Sequence, residues 1–76
     1  MITIDLRLFA TLAEFLPENP ESYQVSDKTT VAQLIVQLGL PDQDVKLIFV
    51  NGIKKNRDCV LKNNDRVGMF PPVGGG

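Results

Sequence analysis

The chain closes with Gly74-Gly75-Gly76, and Phe70-Pro71-Pro72-Val73 comes directly before them. Lacking Cβ atoms, consecutive glycines let a backbone pass close to channel walls and phosphate oxygens that would exclude bulkier residues. What such a segment delivers is its carboxylate, here that of Gly76, a poor electrophile until it carries a good leaving group. Gly75 and Gly74 would thread the channel behind it. The proline pair cannot donate to a sheet ladder and favours an extended conformation, so Pro71-Pro72 reads as a stiff exit from a domain and the glycines as a flexible tip. A glycine run alone is equally well a frayed chain end; the "FPPV" in front of it is what favours a used terminus. The other group with reactive chemistry is Cys59, which lies in a strand-like run between Asp58 and Val60 and reads as small-residue packing.

Much other chemistry is excluded by composition. The 76 residues contain no histidine and one cysteine. They therefore offer no imidazole for proton transfer near neutral pH, no intramolecular disulfide and no Cys/His metal site. A lone cysteine fits a reducing, cytoplasmic setting. The opening "MITIDLRLFATLAEFL" carries Asp5 and Arg7 within its apolar run, against a signal peptide or membrane span. The net charge of -1 provides no global field for nucleic acid or an anionic membrane. Charge is nonetheless uneven, with an acidic excess before residue 46 and a basic excess after it, where Lys54, Lys55 and Arg57 could form a rim that steers an acidic partner.

The elements that must position the tail can be read from periodicity. Ile2, Ile4, Leu6 and Leu8 alternate with Thr3, Asp5, Arg7 and Phe9, the period of a half-buried strand with Phe9 on the face away from the core. Thr11–Leu16 leaves room for a short helical turn before Pro17 and Pro20, and Tyr23 and Val25 share one face of a second strand. Thr30-Val31-Ala32-Gln33 has capping-box form. Val31, Leu34, Ile35 and Leu38 follow at helical spacing until Gly39 and Pro41 end the helix. Asn51-Gly52 between apolar residues signals a hairpin after a central strand at 45–50. "CVLKNNDRVGMF" suggests another hairpin, from a strand near Cys59–Leu61 through a polar turn into Arg66–Phe70. The order β-β-α-β-β-β, with a hairpin at each end, predicts an α+β fold of β-grasp (ubiquitin-like) type. A mixed sheet of four to five strands is crossed by one main helix; residues 1–70 form the domain and 71–76 the tail.

The stretches "MITIDLRLFATLAEFL", "KTTVAQLI", "LIFVNG" and, most specifically, "LKNNDRVGMFPPVGGG" resemble the MoaD/ThiS family of ubiquitin-like sulfur carriers, with the nearest likeness to the small subunit of molybdopterin synthase. The resemblance spans nearly the whole chain. It implies that an activating enzyme adenylates the Gly76 carboxylate with ATP, that a sulfur donor displaces AMP to leave a thiocarboxylate, and that a synthase large subunit or equivalent acceptor takes the sulfur for molybdenum or tungsten cofactor assembly. The chain would then be a sulfur-donating cosubstrate rather than an enzyme, with no metal and no permanently bound cofactor. It also implies a docking patch around Phe9, Phe70, Pro71, Pro72 and Val73, although packing within the domain explains either phenylalanine as well. A thiamine-type carrier, a modifier conjugated to lysines and a plain interaction module remain alternatives.

Overall fold

The computed structural model describes residues 1–72. One mixed sheet forms in the spatial order β2-β1-β5-β3-β4, from β1 (Ile2–Leu8), β2 (Tyr23–Val25), β3 (Leu47–Val50), β4 (Ile53–Lys54) and β5 (Arg66–Phe70). Its helix, α1 (Val31–Leu38), packs on one side. The β-grasp architecture follows, with β5 pairing parallel to β1 and antiparallel to β3. Alternation sorts the side chains as the sequence requires: Ile4, Leu6 and Leu8 of β1, Ile48 and Val50 of β3, and Val67 and Met69 of β5 are buried against Val31, Leu34 and Ile35 of the helix. Leu38 is partly buried at the margin of this core.

The helix begins where the sequence places it because every early amide finds a partner. The Thr30 hydroxyl accepts from the Gln33 amide at 3.2 Å, and the Gln33 side-chain oxygen accepts from the Thr30 amide at 2.9 Å. The next two donors turn outward: the Val31 amide donates to the Cys59 carbonyl at 3.0 Å and the Ala32 amide to the Arg57 carbonyl at 2.9 Å. At the other end Gly39 takes the left-handed conformation, φ 74°, and the Leu40 amide reaches back to the Ile35 carbonyl at 3.1 Å, closing the helix and burying Leu40.

Those same bonds correct two expectations. The Cys59–Leu61 segment does not form a hairpin with β5. Its carbonyls and amides serve the helix end instead, with Val60 bridging Thr30 and the Leu61 amide donating to the Thr29 carbonyl at 2.8 Å. The fifth strand is the short β4 at the far side of the Asn51-Gly52 turn, where both residues have positive φ. Nor is the 45–50 region the centre of the sheet. β5 holds that place, and β3 lies between it and the edge. Between β1 and β2 the expected short turn is a 3-10 helix, Ala10–Phe15, which buries Leu12 in the core.

Arg57, one of three cations that could have formed a steering rim, is a staple within the domain. Its guanidinium donates to the Asp42 carboxylate at 3.1 Å and to the Asp42 and Val45 carbonyls at 2.9 and 2.8 Å. It thereby holds the loop entering β3 against the segment that caps the helix.

Leu34 is fully buried between helix and sheet. Leu34→Ala should cost about 2 to 5 kcal/mol, through lost transfer energy and the cavity left behind. Urea denaturation followed by circular dichroism should show a clearly lowered midpoint with an unchanged native spectrum; an unmoved midpoint would mean that Leu34 is not a core residue.

Candidate functional site

The tail springs from the end of β5, and the structure fixes that root firmly. The Phe70 carbonyl accepts from the Lys46 amide at 2.8 Å, while the Phe9 amide extends the parallel ladder by donating to the Met69 carbonyl at 3.1 Å. Because Val67 and Met69 point into the core, strand parity turns Phe70 to the opposite, solvent-facing side of the sheet. Phe9 lies on that side too, one step beyond the paired Leu8 and Met69.

There the two rings stack, with centroids 4.3 Å apart and planes within 5° of parallel. Phe49 completes the cluster by meeting Phe70 edge-on, with centroids 5.7 Å apart and planes at 86°. Phe70 is therefore the hub of three aromatic rings, none of them in the core. Such offset and edge contacts contribute about 0.5 to 1.5 kcal/mol per pair beyond simple burial, enough to hold the rings in place without hiding them. Phe9 remains 39% exposed.

Around the rings lies a concavity of about 380 Å³, bounded by Arg7 and Arg66. Its floor is Gly68, whose register partners are Arg7 on β1 and Phe49 on β3. A side chain at Gly68 would project into the hollow, its Cβ coming within 3.5 Å of the Phe9 ring. Arg7 pairs with Asp5 at 3.2 Å. Among the described residues no carboxylate lies within ion-pair distance of Arg66. The face thus combines aromatic anchors with a cationic border, the composition of an interface centre and its rim.

Of the expected site residues, Phe9 and Phe70 come together as a patch on the sheet's open face and not in the core. Pro71 is half-buried beside them and Pro72 is exposed. Val73, Gly74, Gly75 and Gly76 lie outside the described residues. Sequence reasoning missed Phe49, Gly68, Arg7 and Arg66. The alternation of "LIFV" against the buried Ile48 and Val50 could have placed Phe49 on the outer face, but the strand order that sets it beside Phe70 leaves no local signal. Cys59 is half-buried against the core, its carbonyl engaged by the helix, in keeping with packing. Asp65 and Arg66 do not pair with each other: Asp65 accepts from the Lys62 amide and the Asn51 side chain, tightening the turn before β5.

This geometry, an open aromatic sheet face at the root of a Pro-Pro-Val-Gly-Gly-Gly tail, can be set beside known proteins. The ThiS family matches residues 6–76. The chain belongs to the ThiS family. Among solved structures of this fold, a Pyrococcus furiosus protein titled "Putative molybdopterin converting factor, subunit 1" superposes with a TM-score of 0.73 at 25% identity, covering 96% of this chain and 100% of that one. The Haloferax volcanii HVO 2177 protein gives 0.74 at 25% identity, covering 99% and 87%. SAMP1 of the same organism gives 0.66 at 22% identity, covering 97% and 99%, a likeness of fold. No curated protein gives a significant sequence match. The ThiS assignment and these neighbours establish the fold as that of a ThiS/MoaD-like sulfur carrier or ubiquitin-like small archaeal modifier. No helix among the described residues is long and apolar enough to cross a membrane.

Truncating the hub of the aromatic cluster should separate docking from folding. Phe70→Ala is expected to weaken binding to the activating enzyme that the sequence resemblance implies by at least roughly tenfold, if the partly exposed ring serves as an anchor. The domain should still unfold cooperatively. Calorimetric titration alongside thermal unfolding checks both, and unchanged affinity would return Phe70 to a purely structural role.

Proposed function

We propose that this protein carries sulfur as a thiocarboxylate on Gly76 for molybdopterin assembly, serving as the small subunit of a molybdopterin synthase. The observation that carries the reading is the aromatic face at the root of the tail: Phe9, Phe49 and Phe70 cluster where the chain leaves the sheet, so a partner that grips them holds the tail at its own active site. Membership of the ThiS family and the likeness to the Pyrococcus furiosus protein support the choice of cargo.

In the activation step a Gly76 carboxylate oxygen attacks the α-phosphorus of ATP held by the activating enzyme, and pyrophosphate leaves. The resulting acyl adenylate is attacked at carbon by hydrosulfide released from a donor; AMP departs with the bonding electrons, the S–H proton is lost, and the thiocarboxylate remains. Its sulfur is a soft nucleophile able to attack a precursor held by the synthase partner. The partners supply the proton transfers, and this chain supplies reach and presentation. Gly74 and Gly75 let the backbone enter a narrow channel, and Pro71-Pro72 keep the exit extended. ATP is consumed by the activating enzyme and is not a resident of this domain. The protein acts in the cytoplasm as a cosubstrate and not as a catalyst.

The fold it shares with SAMP1 favours a second reading, in which the same adenylate is passed to a lysine amine. Intact mass separates the two after incubation with activating enzyme, ATP and sulfide. Exchange of one oxygen for sulfur marks the carrier, and higher-mass adducts with lysine-bearing proteins mark the modifier.

Removing Gly76 should abolish sulfur loading and leave the unfolding midpoint unchanged. One missing residue withdraws the carboxylate by about 3.5 Å, beyond the tolerance of a reacting geometry. A des-Gly76 chain that formed thiocarboxylate at the parent rate would overturn the terminal mechanism.

A further inference from the structure

A second concavity, of about 360 Å³, opens between the β3–β4 hairpin and the segment that caps the helix, and it shares no lining residue with the aromatic hollow. Two aliphatic side chains stand open on it: Ile53 is 60% exposed and Val60 48%. Lys55 and Lys62 flank them, and Asp65 is the single carboxylate in the lining. That carboxylate is already engaged. One oxygen accepts from the Asn51 side chain at 2.9 Å and the other from the Lys62 amide at 2.8 Å. Among the described residues, neither lysine has a carboxylate within ion-pair distance. The groove therefore offers apolar surface with a positive excess, two lysines against one carboxylate.

Its walls are also fixed in place. Ile53 sits in the β3–β4 ladder, the Lys55 amide donates a hydrogen bond to the Ile48 carbonyl at 2.9 Å, and Val60 bridges Thr30. A partner would not have to order this backbone before binding it, which lowers the entropic cost of association. Its location matters as well. Ile53 pairs with Val50, whose side chain is buried in the core, so the groove opens at the sheet's edge on the helix side and not on the aromatic face. A protein gripping the aromatic face would approach from the opposite side of the sheet.

We propose that this groove is a second docking site, which takes an acidic segment of a partner protein bearing an aliphatic side chain. The aliphatic group would cover Ile53 and Val60, and flanking carboxylates would meet Lys55 and Lys62. Charge complementarity selects this occupant over a neutral or basic one. The site stands on its own geometry and does not depend on the cargo at Gly76.

The test is an NMR titration of the full ¹⁵N-labelled chain at low ionic strength with a blocked peptide of two leucines flanked on each side by two glutamates. Saturable shifts are expected at Ile53, Lys55, Val60 and Lys62. The double variant Lys55→Glu with Lys62→Glu should weaken binding by about tenfold or more, and Phe70→Ala should leave it unchanged. Both lysines are exposed, and retention of the dispersed amide spectrum confirms that their variants are folded. The proposal is overturned if shifts fall only on the Phe9, Phe49 and Phe70 face, or if a peptide with lysines in place of the glutamates binds equally well. Absence of saturable shifts at millimolar peptide overturns it too, as does movement of the groove amides with protein concentration alone, which would assign the groove to a second copy of the chain.

Discussion

Strand β5 is bonded on both edges, parallel to β1 and antiparallel to β3, and the rest of the molecule is organised around that double pairing. A strand held on both sides cannot rotate, so the alternation of its side chains becomes a rigid assignment of faces. Val67 and Met69 are committed to the helix side, where neither exposes any surface. Gly68 and Phe70 are committed to the open side. A slip of one residue would carry Phe70 into the core and expose Met69, exchanging open aromatic face for hydrophobic core. The register that stabilises the domain is the register that presents its aromatic face.

The same pairing fixes where the tail leaves the domain, the point on which the proposed sulfur transfer depends. The ladder continues to the Phe70 carbonyl, where the Lys46 amide closes it, and the proline pair then ends any further pairing. Stability and function are divided at that point. Upstream of the prolines, apolar burial and hydrogen bonds fix a platform. Because the aromatic rings are packed against one another and not under the helix, they tolerate exposure while keeping their orientation.

Segments outside the sheet show the same economy. Residues 57–61 satisfy the first amides of α1, bridge to Thr30 and, through the Arg57 guanidinium, secure the loop that leads into β3. One stretch of chain thus joins the helix start to the sheet and leaves Lys62 and Val60 at the surface beside the hairpin. Charges that appear segregated along the chain are partly reunited in space, with Arg57 on Asp42 and the strand register setting Arg66 opposite Asp5.

The sequence by itself determined what depends on local spacing. The alternation of Ile2 to Leu8, the Thr30–Gln33 capping box, the Val31–Leu38 stripe, the stop at Gly39 and the Asn51-Gly52 turn each involve residues close in the chain, and each forms where those residues place it. The elements in their order indicated a β-grasp fold, and the resemblance of the quoted stretches indicated the MoaD/ThiS family, with which the family match agrees. Tertiary structure alone decided which strand lies at the centre, that Cys59–Leu61 serves the helix and not β5, that Arg57 is a staple, and that Phe49 joins Phe9 and Phe70. These outcomes turn on pairings between residues far apart in sequence. A segment's own pattern shows which of its sides is apolar, but which neighbour satisfies its backbone or meets its outer side chains is settled only when the whole sheet is assembled.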